Sequence, residues 1–356
     1  MSDSAPERGD DPPERDRPEE EHGTDGGGAH RRPRVHRSRR WQVLISLGVL
    51  GLLCAVLGFA AYYWHPGSVV TLAIAAISPY LMLGAFVAVV LFAIARGTTG
   101  WIGLAVSLLL VAWTVAVEAP AFVATAVPPG RDVVVLTANL RLGTASPSAL
   151  VNTVRDHHVD VLMLEELTPE ETAALHEAGL DKLLPYGRIA PRYNASGTGL
   201  LSRYPISDDR VRRDFPFALV TARVAIPGFS APPTLIALHM FGPYPGAQTP
   251  TWVHDIEHLR SVLQEPPTDA PVIVGGDFNA TTSVAQFREL LTGGYADAAE
   301  QAGAGLTPTY PANKLIPLIA IDHVLTRGAV AHTADSVRLP GSDHRGLLVT
   351  VRLPTS

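Results

Sequence analysis

Residues 41–117 constrain what this chain can fold into more than any other part of its sequence, because they contain only one formally charged residue, Arg96. Membrane-spanning helices require about 20 predominantly apolar residues each, whereas a water-soluble domain of this length would carry many charges. The sequence therefore predicts a membrane region of about three helices. The only cysteine, Cys54, lies inside this region, which excludes an intrachain disulfide and a cysteine-based zinc site.

The three expected spans differ in length and regularity. They are residues 41–64, 69–95 and 101–117. The first is too long for the apolar core of a signal peptide, and no convincing cleavage site follows it. The second is long for one span and is interrupted at Ser78-Pro79, which predicts a kinked or obliquely entering helix. A short polar loop at 96–100 should precede the third, which is barely long enough to cross a bilayer.

The arginine distribution predicts the orientation of these spans. Six arginines lie between Arg31 and Arg40, directly before the first span, and Arg96 is the only charge in the second loop. The positive-inside rule assigns both positions to the cytoplasm. Three spans then place everything after Glu118 outside the cell membrane.

The segments around the membrane region have different compositions. Residues 1–40 carry ten Asp/Glu and nine Arg with few large apolar side chains, which predicts a disordered cytoplasmic tail. Residues 118–130 form a short linker, and 131–356 a large soluble domain. Residues 119–356 carry 18 Lys/Arg against 23 Asp/Glu, a formal charge of −5. This balance makes a bulk nucleic-acid partner less expected, because nucleic-acid binding needs a basic surface.

The soluble part consists of short apolar runs rich in β-branched residues, separated by turns. Strands are expected at 133–137, 160–164, 199–202, 219–226, 234–238, 272–274, 321–326, 331–337 and 346–351. Helices are expected after the N-caps Ser146 and Thr168, and near 251–263 and 284–291. Many strands with few helices predict an α/β (α+β) domain of two packed sheets with helices outside.

Polar side chains suited to metal or phosphate chemistry recur where these strands end. They are Asn139, Glu165, Glu166, His239, Asp277, Asn279, Asp322, Asp343 and His344. Each alone has an ordinary structural explanation, such as capping a turn. Together they indicate a catalytic site, because loops at strand ends hold catalytic groups on a rigid scaffold.

The residue types in this set suit a phosphate ester. Mg²⁺ takes one or two protein carboxylates together with phosphate oxygens, so Glu166 with help from Asn139 could hold it. Asp277 and Asn279 are two residues apart, and in extended chain they would point to one side. His344 could take a proton from water if a carboxylate such as Asp322 orients its other ring nitrogen.

With these motifs the chain resembles the endonuclease/exonuclease/phosphatase (DNase I-like) superfamily over about residues 133–351. The resemblance rests on Thr-Ala-Asn139, Asp160-Val-Leu-Met-Leu-Glu-Glu166, Gly197-Thr-Gly-Leu-Leu-Ser-Arg203, Leu-His239, Gly-Gly-Asp277-Phe-Asn279-Ala, Ile-Asp322-His and Ser342-Asp343-His344. It implies a four-layered α/β/β/α sandwich of two mixed sheets. Glu165 departs from the family pattern, which usually has Gln at that position.

The resemblance also implies a role for each matched residue. The catalytic residues are then His344, Asp277, His239, Asp322 and Asp343; the substrate-binding residues are Asn279 and Asn139; and the metal ligands for Mg²⁺, or Mn²⁺, are Glu166, Asn139 and Asp343. His344 would be the general base, and Asp277 would orient the nucleophile.

The superfamily cleaves nucleic acids, phospholipids and sugar phosphates at one kind of site, so its resemblance does not identify the substrate. Three spans and a short linker favour a lipid or lipid-linked phosphate held at the same membrane. The architecture also resembles the membrane-anchored bacterial branch of teicoplanin-resistance (VanJ-type) proteins. An exported nuclease and a non-catalytic membrane-anchored binding module remain the alternatives, and the sequence indicates no obligate protein partner.

Overall fold

A computed structural model describes residues 38–229, 231–242 and 249–354. The predicted disordered tail therefore lies almost entirely outside the described residues. The helices are α1 (Arg39–Tyr63), α2 (Val69–Ala76), α3 (Ser78–Met82), α4 (Gly84–Ala95), α5 (Gly97–Glu118), α6 (Pro147–Asp156), α7 (Pro169–Glu177), α8 (Thr249–Val262), α9 (Ala285–Arg288) and α10 (Ala298–Gln301). Short 3₁₀ turns cover Ala119–Phe122 and Leu180–Lys182.

The strands form two six-stranded mixed sheets. They are β1 (Gly130–Asn139), β2 (Val161–Glu165), β3 (Tyr186–Ala190), β4 (Thr198–Ser202), β5 (Ile206–Arg212), β6 (Leu219–Val224), β7 (Thr234–His239), β8 (Val272–Asp277), β9 (Tyr295–Asp297), β10 (Asp322–Arg327), β11 (Val330–Arg338) and β12 (Arg345–Pro354). The first sheet has the order β11-β12-β1-β2-β4-β3, and the second β5-β6-β7-β8-β10-β9. β1 and β2 are parallel, as are β7 and β8, and the other pairs are antiparallel.

Three apolar clusters divide the domain into four layers. The cluster between the sheets contains alternate residues of facing strands, such as Val133 and Val135 of β1 and Ile273 of β8. A second cluster packs α8 and α9 on the outer face of one sheet, and a third packs α6 and α7 on the outer face of the other. Side chains alternate across a strand, so each sheet buries both of its faces. This arrangement confirms the expected α/β/β/α sandwich.

Three helical segments among the described residues are long and apolar enough to cross a membrane: Arg39–Tyr63, Ser78–Ala95 and Gly97–Phe122. The second span was expected to begin at residue 69. This start is wrong, because the second apolar segment of the structure begins at Ser78. α2 is a separate helix, capped by Ser68, and its Leu72 and Ala75 are buried in the same cluster as α8. The expected polar loop at 96–100 is also wrong, because α5 already begins at Gly97.

The helical segments and the sandwich are joined by direct contacts in one compact unit that begins at Arg40. Arg288 of α9 donates from Nη2 to the carbonyl of Tyr62 at 2.6 Å, and its guanidinium lies 3.6 Å from the centre of the Tyr62 ring. The linker expected at residues 118–130 also contacts the domain. The N–H of Thr125 donates to the carbonyl of Gln301 at 2.7 Å, so the chain after α5 lies against the domain before β1 begins.

Candidate active site

Side-chain alternation explains where the polar residues collect. The rows of β1, β2, β7, β8 and β10 that fill the space between the sheets continue, at one end of each strand, into Asn139, Glu165, His239, Asp277 and Asp322. The polar side chains therefore converge at one end of the inter-sheet core. This end of the core opens into a cleft of about 540 Å³.

Asp322 and His344 form a pair at the base of this cleft. Nδ1 of His344 lies 2.9 Å from Oδ2 of Asp322, and its Nε2 lies 3.7 Å from Oδ2 of Asp277. Burial alone would lower the pKa of His344, but the charges of Asp322 and Asp277 outweigh it and raise the pKa to about 10. The two carboxylates thus favour the protonated ring, and a base role requires a positive charge beside them that lowers this pKa.

Asp277 is held at the end of β8 by unusual backbone geometry. Gly276, at φ 151°, precedes it, and a Cβ at that position would lie 1.8 Å from the carbonyl oxygen of Leu238. Only glycine fits such a close approach of two parallel strands. Burial and the neighbouring Asp322 raise the pKa of Asp277. The residue is 1 % exposed, so the carboxyl has to find its hydrogen-bonding partners within the site rather than in solvent.

Asn139 connects the two acidic parts of the site. Its Nδ2 donates to Oε1 of Glu166 at 3.2 Å and to Oδ2 of Asp277 at 3.1 Å. Its Oδ1 accepts from the N–H of Arg141 at 2.9 Å, which fixes the orientation of the amide. In this geometry Asn139 acts as a hydrogen-bonding bridge between carboxylates, and its predicted ligation of a metal stays a prediction.

The two adjacent glutamates point in different directions. Glu165 continues the inter-sheet row of β2 and is fully buried, with Oε1 accepting from the hydroxyl of Thr137 at 2.7 Å. Glu166 has a left-handed backbone at φ 56° that turns its carboxylate to the cleft wall, where Oε2 accepts from the N–H of Leu142 at 3.0 Å. Burial raises the pKa of Glu165 well above its usual range. Burial therefore favours the protonated form of Glu165, whereas Glu166 lines the cleft and can reach a ligand.

His239 and Asn279 lie together on the opposite wall. Nδ1 of His239 donates to the carbonyl of Ala195 at 3.0 Å, and Nδ2 of Asn279 lies 3.4 Å from Nε2 of His239. Burial lowers the pKa of His239, which keeps the ring neutral. Asn279 also has a left-handed backbone, at φ 51°, and its N–H donates to Oδ1 of Asp277 at 2.9 Å. The turn after β8, rather than extended chain, thus brings Asp277 and Asn279 to one side.

Asp343 lies at the mouth of the cleft, partly exposed. Its Oδ2 is 3.6 Å from Nε of Arg141. Arg141, which the sequence reading overlooked, is the one Lys or Arg side chain among the described residues lining the cleft. The ring of Tyr310 packs against the ring of His344, with centroids 4.9 Å apart. An aromatic ring therefore flanks the pair at the base, and a cation lies beside Asp343.

Two hydroxyl groups position the paired residues, and the sequence reading assigned neither. Ser342 donates from Oγ to the carbonyl of Asn139 at 2.7 Å and accepts from the N–H of His344 at 3.0 Å. The hydroxyl of Thr309 accepts from the N–H groups of Ile321 and Asp322. Ser342 lies within the Ser342-Asp343-His344 motif, but only three-dimensional contacts reveal what either hydroxyl holds.

The donor set fits a divalent cation. One ligand atom each of Asp277, Asp322 and His344 lie within 4.8 Å of one another, and carboxylate oxygens are the ligands that Mg²⁺ prefers. Glu166, across the Asn139 bridge, adds a further carboxylate. Burial, together with the charges of neighbouring acids, raises the pKa of Asp277 and of Glu166, and a cation beside them would favour their ionised forms. When bound, such an ion would stabilise charge on a phosphoryl group.

Solved structures of TDP2 share this fold. The chain is 19% identical to a crystal structure of humanized TDP2 from D. rerio, with a TM-score of 0.52, covering 62% of this chain and 99% of that one. It is 18% identical to D. rerio TDP2 complexed with single strand DNA product, with a TM-score of 0.50 and coverages of 62% and 99%. A mannosyl-6-phosphatase from Bacteroides thetaiotaomicron shows 15% identity, a TM-score of 0.48 and coverages of 62% and 99%.

No curated protein matches the sequence. A family model does: the endonuclease/exonuclease/phosphatase family model matches residues 136–344, more than half of the chain. This range begins in β1 and ends at His344, so it contains every polar residue of the cleft described above. The chain therefore belongs to the endonuclease/exonuclease/phosphatase family and is a phosphoesterase.

Proposed function

We propose that this protein is a membrane-anchored, outward-facing, Mg²⁺-dependent phosphoesterase that hydrolyses a phosphate ester or pyrophosphate of a lipid or lipid-linked cell-envelope substrate. One observation carries the proposal. α2 lies directly before the second membrane span, and its Val69, Leu72, Ala73 and Ala76 form a wall of the cleft that holds His344. An apolar wall continuous with a span suits a substrate whose phosphate is attached to a hydrocarbon chain.

The chemistry proposed is attack of an activated water on phosphorus. Asp277 and His344, whose Oδ2 and Nε2 lie 3.7 Å apart, would orient and deprotonate the water, and Asp322 would hold the imidazole through Nδ1. His239 and Asn279, whose Nε2 and Nδ2 lie 3.4 Å apart on the opposite wall, would contact phosphate oxygens. Mg²⁺, with Mn²⁺ as a substitute, would be held by the carboxylates of this site.

A nuclease is the alternative proposal, and the charge distribution weighs against it. Residues 119–356 have a formal charge of −5, and Arg141 is the one Lys or Arg lining the cleft among the residues that the structure describes. Binding a nucleic-acid backbone requires several phosphate contacts from Lys and Arg. Arg141 can serve one phosphate group, which suits a small lipid headgroup better.

A side-by-side hydrolysis assay tests the substrate class. The detergent-solubilised full-length protein would be given farnesyl pyrophosphate, phosphatidylcholine and single-stranded DNA, each with Mg²⁺ and with EDTA. We expect Mg²⁺-dependent turnover of a lipid substrate and none of DNA. Faster turnover of DNA than of either lipid would establish the nuclease alternative.

The outward orientation has its own test. Asp335 is exposed on β11, so a cysteine introduced there, with Cys54 replaced by alanine, should react with a membrane-impermeant thiol reagent in intact cells. Labelling only after lysis would place the domain in the cytoplasm. The proposed link to glycopeptide resistance rests on the resemblance alone, and teicoplanin susceptibility of cells with and without the active protein would decide it.

A further inference from the structure

Residues 313–318, between Tyr310 and β10, form a loop with an unusual surface. The side chains of Leu315, Ile316 and Leu318 are 96%, 66% and 56% exposed. Single exposed apolar residues are normal on soluble proteins, but a contiguous group usually marks a contact with a partner or a membrane. Leu315 is the most exposed large apolar side chain among the described residues. We call residues 313–318 the apolar loop.

The apolar loop is tied to a membrane span. The hydroxyl of Tyr80 donates to the carbonyl of Leu318 at 2.5 Å. Tyr80 is the third residue of the apolar segment Ser78–Ala95. The hydrogen bond therefore holds Leu318 beside the first turn of that apolar segment. Lys314, one of two lysines in the chain, lies at the start of the loop and can contact anionic headgroups.

The base of the apolar loop is part of the catalytic cleft. Tyr310 and Ile319 pair as an isolated bridge that closes the loop, and both line the cleft. The N–H of Ala312 also donates to the carbonyl of Asp343 at 2.6 Å. α2, which leads directly into the apolar segment Ser78–Ala95, also lines the cleft, and the apolar loop is hydrogen-bonded to that same segment at Tyr80.

From these contacts we infer that the apolar loop inserts into the outer leaflet of the membrane that the spans cross, and that a lipid-borne phosphate enters the cleft laterally between this loop and α2. The inference rests on the proposed function, because it assumes that the spans are embedded and that the substrate is a lipid. The occupant of the apolar surface is the bilayer itself. The segment to which Tyr80 ties the loop exposes apolar side chains of its own, such as Leu83 and Val87.

Insertion can be measured without any activity. Leu315→Cys in a Cys54→Ala background would be labelled with an environment-sensitive fluorophore, and the full-length protein reconstituted in phosphatidylcholine vesicles containing spin-labelled lipid. The matched control is Asp335→Cys, because Asp335 is exposed on β11, in the sheet that does not contain β10. We expect blue-shifted, lipid-quenched emission at 315 and neither effect at 335. Equal emission and quenching at both positions would overturn the insertion.

Lateral entry is tested with two substrates that share one reacting group. The soluble probe is bis(4-nitrophenyl) phosphate, and the membrane probe is oleyl 4-nitrophenyl phosphate in the same vesicles. In Leu315→Asp/Ile316→Asp, we expect KM for the membrane probe to rise by about tenfold or more, because each buried aliphatic side chain contributes that much to partitioning. The kinetic constants for the soluble probe should not change, since neither residue lines the cleft.

The outcomes separate this inference from the proposed function. Unchanged KM for the membrane probe in the double variant would overturn lateral entry, whereas wild-type protein that hydrolyses only the soluble probe would overturn the lipid substrate itself. Should the double variant lose both activities, Leu315→Ser/Ile316→Ser provides a milder change with the same expected direction. A selective increase in KM for the membrane probe in either variant supports the inference.

Discussion

Two buried histidine–aspartate pairs lie on opposite faces of β10, and they differ in what the second ring nitrogen meets. His344 pairs with Asp322 at 2.9 Å, and His323 pairs with Asp297 at 2.8 Å. Nε2 of His323 meets backbone carbonyls of Ala280 and Ala320, so both of its ring nitrogens have acceptors. Nε2 of His344 instead lies 3.7 Å from Asp277 at the base of the cleft.

The surroundings of the two pairs explain this difference in role. The ring of His323 packs between Phe278 and Phe287, with ring centroids 5.7 and 4.4 Å away, in the layer below α9. Adjacent residues of a strand point to opposite faces, so Asp322 joins the cleft while His323 joins the core. A satisfied pair stabilises the fold, whereas a pair with one free ring nitrogen at a cleft can move a proton. The same residue types thus acquire different functions from one step along a strand.

Removal of the cleft imidazole should have the largest effect on catalysis. His344→Ala is expected to lower kcat by about 10² to 10⁴, the usual loss for a group that transfers a proton. The fold should persist, because the ring lies at the edge of the core. Turnover of bis(4-nitrophenyl) phosphate with Mg²⁺ measures the effect. A wild-type kcat in this variant would mean that the His344 pair is no more catalytic than the His323 pair.

Removal of the Asp322 carboxylate should show whether it and His344 act as one unit. Asp322→Asn is expected to depress kcat strongly, because Asp322 fixes the tautomer of His344. The His344→Ala/Asp322→Asn double variant should be little slower than the slower single variant, since residues that act as one unit are not additive. Multiplicative losses in the double variant would show that the two side chains act independently.

The core pair should matter for stability instead. His323→Ala would leave Asp297 buried without its partner and should lower the free energy of unfolding by about 3 to 5 kcal/mol. Turnover per folded molecule should be unchanged. Thermal unfolding in detergent, followed alongside activity, gives both quantities, and a larger loss of turnover here than in His344→Ala would reverse the assignment.

The stability contribution of His323 should depend on pH in a defined direction. Burial would lower the pKa of His323, but the hydrogen bond and charge of Asp297 outweigh it and raise the pKa above 6.5. The folded state then binds the proton more tightly than the unfolded state. The stability difference between wild type and His323→Ala should therefore be greatest below pH 6.5 and shrink as the pH rises through the raised pKa.

The smallest expected effect concerns the acid beneath the cleft. Glu165 is fully buried and its pKa is strongly raised, which favours the protonated form, and glutamine matches that form in shape. Glu165→Gln should retain turnover, and it should not shift the Mg²⁺ concentration for half-maximal activity. A loss of turnover as large as that of Glu166→Gln would mean that Glu165 binds the cation.

Local chemistry made much of the fold predictable. The N-caps Ser146 and Thr168 occur where expected, because a cap depends on neighbouring residues alone. The missed strands are β3 and β5, which lie at sheet edges and carry mostly exposed residues, and β9, which has three residues. An edge strand lacks the apolar alternation of a central one, so its sequence resembles a loop.

The polar residues of the candidate site could be predicted from the sequence, but the other elements that line the cleft could not. The strand-end motifs indicated the polar residues, and alternation then explains why His323 faces away from Asp322. The role of α2 could not be predicted, because a helix buried in a domain and the first turns of a span have the same apolar composition. Arg141 reaches the cleft through a left-handed backbone at φ 47°, which no periodicity reveals.

The dependence of turnover on Mg²⁺ in wild type and Glu166→Gln tests the central claim most directly. Glu166 presents its carboxylate to the cleft, and the variant keeps its shape while removing the negative charge. We predict that wild-type hydrolysis of bis(4-nitrophenyl) phosphate saturates with Mg²⁺ and stops with EDTA, while folded Glu166→Gln is inactive at every Mg²⁺ concentration. Wild-type turnover that persists in EDTA, or equal turnover by Glu166→Gln, would contradict a metal-dependent phosphoesterase centred on this cleft.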